Sequence, residues 1–508
     1  MKYFLWLSVC WLLPTGVFAQ NLATFVNDET FGASELQRSV GVAVQSACGA
    51  LNNFGLSQGL QNGGFDLPGA QGDLFARCNE MVQTAQTLQG ATGRGRDLGI
   101  GVSGLLAVLQ QVGGEEQATQ GTLTTRVTNG QFSNIAGRLN AVRLGGASAA
   151  IGGRVAASGS YAYPDRAQPG YHQLSLDSRA MSGGAAAADM AGSRFGWFLE
   201  GSFNTGDRDQ TVSEDGFDFD SSSVTAGIDY LFDSGVVGVS FGVDAYDADF
   251  VTNALVAGGS VEIDGISGSA FGALYRGNWY LDGIVSAGSL DTDSTRLAVY
   301  PSNNPACTPV PCPAQNDTLR GSTDGDFVAA GATIGYEVTQ GKWDISPTLS
   351  LSYRNIDMDA YTETDPMGGG LTLSYAGQGF DSFRSIAGLA FTGNFSRSFG
   401  VLSPQFRVEW HHEFEDDPSR LVAKYAVEEQ LADAGVVGAA GAGVFALSQC
   451  ISCFVINGDK VDTNFGLIGF GLSAVLSQRI QLYGTYDALI GLNNLDSNAF
   501  SVGIRGQF

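Results

Sequence analysis

From Ser193 to its end the chain alternates. In RFGWFLEGSF, VTAGIDYLF, VVGVSFGVDAY, ISPTLSLSY and QFRVEWHHEF every second residue is apolar or Gly/Ala-sized, and the residues between are mostly small, polar or charged. This is the period of a strand with one greasy and one wet face. The closing run AFSVGIRGQF does the same, with Phe508, Ile504, Val502 and Phe500 on one face and Gln507, Arg505, Gly503 and Ser501 on the other. A soluble sandwich also alternates, so the links decide. Twelve candidate strands lie near 194–205, 222–233, 236–248, 261–276, 278–296, 326–339, 342–360, 383–396, 401–425, 461–477, 479–491 and 498–508. Tight turns (DSG at 233, RGN at 276, QGK at 340, SRSFG near 398, SQR at 477) alternate with links of about 15 to 35 residues rich in Asp, Asn, Thr and Pro. Short turns at one end and long loops at the other mark a membrane-spanning barrel, whose closure leaves no unpaired edge in lipid. The expected fold is mainly β: a 12-stranded antiparallel transmembrane β-barrel over residues 193–508, preceded by a small α-helical N-terminal segment.

Composition agrees with strands as the only means of spanning. No stretch approaches the 18 consecutive apolar residues of a spanning helix. A formal net charge of −25 excludes a nucleic-acid partner, because binding a polyphosphate needs a basic surface. The first residues, MKYFLWLSVCWLLPTGVFAQ, carry one basic residue, an apolar run and a small-residue site, so residues 1–19 read as a signal peptide cut between Ala19 and Gln20. Of seven cysteines, Cys10 lies in that leader, and the rest form three sequence-local pairs: Cys48 and Cys78, Cys307 and Cys312, Cys450 and Cys453. In an exported chain these are disulfide candidates. Zinc is not supported, since His172, His411 and His412 are the only histidines and the CxxC at Cys450 has no second CxxC.

Residues 20–115 read as a helical segment. Ser34 is a plausible N-cap for one helix, and a second runs from Asp73 to the stop at Gly90. Cys48 and Cys78 would staple the two. Residues 116–145 form a polar candidate pore or linker helix, and residues 146–192 are a Gly/Ala-rich linker. If helical, the polar stretch spans roughly 40 Å. The length of the linker favours a rival placement in which the whole leader stays on the short-turn side.

Together SRFGWFLEGSFNTGDRDQT, EDGFDFDSSSVTAGIDYLF, FRSIAGLAFTGNFS, LSPQFRVEWHHEFED and the terminal VGIRGQF resemble, in that order, the autotransporter β-domain of type V secretion. The segments DLFARCNEMV and GQFSNIAGRLNAVR are similar to the helical leaders of compact members. The resemblance implies an outer-membrane protein of a Gram-negative bacterium with external loops, anchoring and possibly translocating its own N-terminal segment. It implies outer-membrane lipid and the barrel-assembly machinery as partners, with Phe508 looking like the assembly signal, and a monomer. A surface structural or adhesin-like protein acting through its loops and a barrel-embedded lipid hydrolase are the alternatives.

Alternation also selects the wet face of the wall. Glu200, Asp229, Asp244, Asp282, Arg384, Arg407, Glu409, Glu413, Asp487 and Arg505 are expected to face the lumen. Their mixed signs should pair and could hold a plug. Catalytic and cofactor motifs are not signalled. GxGxxG at Gly99 follows no strand, GxSxG around Ser240 lies mid-strand without an elbow, and His411 and His412 point to opposite faces. No catalytic residue, metal or cofactor is assigned.

Overall fold

The computed structural model describes residues 21–119, 130–140, 142, 194–303, 313–476 and 480–507. Ala19, Gln20, Cys307, Cys312, Phe508 and the linker 146–192 lie outside the described residues.

Twelve antiparallel strands close on themselves. They are β1 (Phe195–Arg208), β2 (Phe217–Phe232), β3 (Gly235–Phe250), β4 (Gly259–Arg276), β5 (Trp279–Tyr300), β6 (Gln315–Tyr336), β7 (Trp343–Met358), β8 (Gln378–Gly393), β9 (Gly400–Glu413), β10 (Asn464–Leu476), β11 (Ile480–Ile490) and β12 (Leu495–Gln507). Each pairs with the next, and β12 returns to β1 with Leu199 opposite Ile504 and Phe203 opposite Phe500. Closure gives the terminal strands partners on both sides, so no edge is left open. Outward positions are apolar and exposed, as at Phe241, Leu349, Trp410 and Val502.

The strands outrun their apolar alternation. β5 and β6 stay paired out to Tyr300 and Gln315, through DTDSTR and NDTLRGSTD, which the sequence assigns partly to loops. Alternation stops where the outward face no longer needs to be greasy, whereas backbone pairing continues. The links on that side shrink accordingly: residues 209–216, 251–258 and 491–494 are shorter than the 15 to 35 expected, and 414–463 is longer. The run 401–425 is also not one strand. It breaks after Glu413, and Arg420–Tyr425 joins a separate sheet.

That second sheet is assembled from two long links. Its strands are Tyr361–Thr362, Leu373–Tyr375, Arg420–Tyr425 and Phe454–Asn457. On it sit the N-terminal helices α1 (Leu22–Asn27), α2 (Glu35–Ser57), α3 (Gly69–Leu88) and α4 (Val102–Gly113). Asn21 with Thr24 and Ser34 with Gln37 close capping boxes at the starts of α1 and α2, and a Cys48–Cys78 disulfide joins α2 to α3. Helices and links share one apolar core, in which Leu51, Leu109 and Val112 of the helices meet Leu319, Leu373, Tyr375 and Tyr425. The helical segment is therefore a cap on the long-link end of the barrel, which replaces the short-turn-side placement favoured by the linker length.

Candidate functional site: the occupied lumen and its cap

Residues 130–140 form a helix inside the barrel. Gly130 lies against Asp244 and Ser223, while Arg138 bonds Asp229 through Nε at 3.0 Å, four residues from the turn after β2. The helix thus descends from the capped end toward the short-turn end. Two glycines seven apart allow the close approach: a Cβ on Gly130 would stand 2.9 Å from Asp244 Oδ1, and one on Gly137 2.6 Å from Glu200 Oε1. Glu200 cannot easily yield, because Tyr483 donates to it at 2.6 Å.

The wall of β1 to β4 grips the helix with small hydroxyls. Asn134 Nδ2 donates to Ser223 Oγ at 3.1 Å and Thr225 Oγ1 at 2.8 Å, and Thr225 donates to Gln131 at 2.8 Å. Nearer the short turns, Ile135, Leu139 and Val142 pack against inward-facing Phe198, Leu231, Val236 and Phe271. The helix is therefore not polar all round, and the lumen is not polar throughout. Near the capped end a second apolar layer includes Phe217, Phe219, Tyr246, Phe327 and Ile356. Dry layers at two depths bracket a polar waist.

The opposite wall is charged. Arg407 pairs with Asp487 at 2.7 Å and Arg384 with Glu413 at 3.1 Å, and Ser382 donates to Glu413 at 2.8 Å. His411 Nε2 lies 3.0 Å from Glu409. Asp282 is buried on an inward position of β5 and lines the same side, whereas the inward Asp244 of β3 and Arg505 of β12 are buried on the helix side, beside Gly130 and near Arg138. The charged half of the lumen is a cavity of about 1310 Å³ beside the helix. Asn140, bonded to Gln405 at 2.9 Å, and Phe132, under the Arg354 guanidinium, reach across.

Where cap meets barrel, Arg296 of the β5 extension is fully buried. Its Nε donates to Glu363 at 3.0 Å, its Nη1 to the Gln111 carbonyl of α4 at 2.8 Å and its Nη2 to the Leu371 carbonyl at 3.1 Å. Glu363 also accepts from Leu373 N and Tyr375 Oη. Close by, Glu115 and Glu116 follow α4 and face Asp215 of the β1–β2 link. Burial, then Asp215, Glu116, Glu214 and Asp459, push Glu115 up to about 10. Burial and Asp215 take Glu116 to about 8 against the pull of Arg296. Burial takes Asp215 to about 6 against hydrogen bonds from Gln110 and Gln210. Arg208 partly offsets the cluster, at 2.9 Å from Glu214 and 2.7 Å from Asp459.

Sequence reasoning missed Arg296 with Glu363, Ser223 with Thr225, and the two helix glycines. The seven-residue spacing of Gly130 and Gly137 was the available signal. A second disulfide, Cys450–Cys453, closes a loop whose Ile451 and Ser452 amides donate to the buried Glu428 at 2.7 Å. No cluster suited to a metal occurs among the described residues.

Residues 197–449, about half of the chain, match the family model described as autotransporter beta-domain. The translocator domain of autotransporter NalP from Neisseria meningitidis is 16% identical, with 64% of this chain and 97% of that chain covered and a TM-score of 0.44. The transport unit of autotransporter AIDA-I from Escherichia coli is 13% identical over 62% and 90% of the two chains, with a TM-score of 0.38. Among curated proteins, esterase EstA of Pseudomonas aeruginosa and of Pseudomonas putida are each 27% identical over 182 residues, 35% of this chain. The match spans about a quarter of the length of those relatives, 24%.

Proposed function

Because the chain belongs to the autotransporter β-domain family, barrels of the Gram-negative outer membrane that anchor or translocate a passenger, we propose that this one exports its N-terminal helical segment and keeps it, folded, as a cap on its own outer end. One observation carries the reading. The chain runs from the cap at the long-link end, through the lumen as residues 130–140, toward the short-turn end where β1 begins. In barrels of this kind short turns are periplasmic and long loops external, so a chain with this course has been drawn outward through the pore. The cap's shared core with the links supports retention.

In this reading the outward apolar face meets lipid, the C-terminal strand is presented to the barrel-assembly machinery, and one chain closes one barrel as a monomer. The protein performs no chemistry of its own. His411 pairs with Glu409, which supports this reading, and ester hydrolysis by the detergent-extracted protein should stay at the buffer rate. The location is tested with Leu56→Cys, an exposed position on α2. A membrane-impermeant maleimide should label it on intact cells, above the parent protein's background, with the chain still full length. Labelling that requires outer-membrane permeabilisation would overturn the reading.

A further inference from the structure

We propose that Cys450–Cys453 is a thiol–disulfide exchange site, opened by an external dithiol while Cys48–Cys78 stays closed, and that its opening releases the loop 434–449 from the cap. This loop joins the cap strands Arg420–Tyr425 and Phe454–Asn457. It is tied to the disulfide through one carboxylate. Glu428, buried on the short helix Val427–Asp433, accepts from the backbone N–H groups of Ile451 and Ser452 at 2.7 Å each and of Ala440 at 2.8 Å. Ser452 Oγ donates to it as well. Ile451 and Ser452 are the two residues between the cysteines, so the disulfide fixes the curvature that aims two successive amides at one anion.

The other side of the loop is held by a cation. Lys424, fully buried, donates from Nζ to the carbonyls of Gly441 at 2.6 Å, Val444 at 3.2 Å and Ala440 at 3.3 Å. From Ala434 to Gln449 there is no Asp, Glu, Lys or Arg, so the loop has no ion pair of its own, and Val436 and Ala439 are its apolar contacts with the cap core. Opening the disulfide withdraws the nest and leaves Glu428 buried without donors, a cost relieved when the loop moves out and water reaches the carboxylate. Access separates the two disulfides. Cys450 and Cys453 are half-buried, whereas Cys48 and Cys78 are 6% and 0% exposed inside the helical core. A reagent thiolate reaches the first pair on the folded surface, and the second after α2 and α3 have parted. In the exchange one thiolate of the dithiol bonds to a cysteine sulfur as the Cys450–Cys453 bond breaks, and that bond's electron pair leaves on the other cysteine. The reagent's second thiolate bonds to its first sulfur and displaces the remaining cysteine. The dithiol is oxidised by two electrons to a disulfide, and the two cysteines take up the two protons it gave to solvent.

The inference depends on the cap's own fold, not on which side of the membrane the cap lies. Its test uses the full-length oxidised protein in detergent, treated with dithiothreitol for graded times, quenched with iodoacetamide and mapped peptide by peptide. Cys450 and Cys453 should become alkylated at least about tenfold faster than Cys48 and Cys78. In the same samples elastase, which cuts beside small apolar residues, should nick the chain within 434–449 as that pair opens, while the barrel keeps its folded mobility on a denaturing gel. The double variant Cys450→Ser with Cys453→Ser should be nicked without reductant. Glu428→Ala should be nicked with its disulfide still closed. Equal alkylation of the two pairs, a reduced protein as resistant to elastase as the oxidised one, or a protected loop in Glu428→Ala would overturn the proposal.

Discussion

The barrel wall and the cap use the same kinds of side chain turned inside out. In the wall, Leu199, Phe241 and Trp410 face outward and the charges face in. In the cap, Leu51, Leu109, Tyr375 and Phe454 converge on one dry core. The wall is held by its closed hydrogen-bond ladder, the cap by apolar packing, the disulfides Cys48–Cys78 and Cys450–Cys453, and a buried ion pair. Their stabilities should therefore separate, and perturbing the cap should leave the barrel standing.

The largest separation is expected at Arg296. Arg296→Met leaves Glu363 buried without its cation, at a cost of about 3–5 kcal/mol to docking. Protease should then remove the α-helices from a barrel whose folded mobility on a denaturing gel is unchanged. Adding Glu363→Leu should recover much of the loss, since an apolar pair needs no counterion. Loss of the barrel form in Arg296→Met alone would show that cap and wall fold as one unit.

Next comes the staple. Replacing Cys48 and Cys78 by serine frees a loop with a sequence separation of 30 residues, worth about 3–4 kcal/mol in the chain-entropy picture. Urea titration in detergent should show the cap transition moving to lower urea with the barrel transition fixed.

The smallest effect is a pH dependence. Glu115, Glu116 and Asp215 have docked values raised to about 10, about 8 and about 6, from 4.5, 4.5 and 3.8. A raised carboxyl holds its proton in the docked state after the free state has released it, so docking is strongest below the free values and weakens as pH rises through the docked ones. The protection of α4 amides, taken relative to their intrinsic base-catalysed exchange rate, should fall from pH 5 to pH 9, and Glu115→Gln should flatten the fall. Protection that grows with pH would reverse the sign.

The two regions also differ in how far they could be read from residues alone. Parity along β9 orders Arg407, Glu409, His411 and Glu413 onto one face because the other face, Phe406 to Phe414, is apolar at every position but His412. Parity says less about what the inward face is made of. It puts Phe198 with Glu200, Leu231 with Asp229 and Val236 with Asp244 on the inner face, but it does not say that an apolar layer forms there, because their partners Ile135, Leu139 and Val142 lie far away in sequence. The cap sheet was illegible for a related reason. Its strands are two to six residues long, too short to show a period, and Arg296 and Glu363 are 67 positions apart on links that read as loops.

The threading of the chain through its own barrel is the central claim, and a pair of cysteines at Asn134 and Thr225 tests it most directly. These side chains bond at 2.8 Å across the helix and the β2 wall. In outer membranes from growing cells, oxidation should join Asn134→Cys to Thr225→Cys, giving one crosslinked, full-length band that reductant removes. Absence of that link in correctly folded barrel, with Asn134→Cys freely labelled by reagents in the periplasm, would place the helix outside the lumen and contradict the threaded chain.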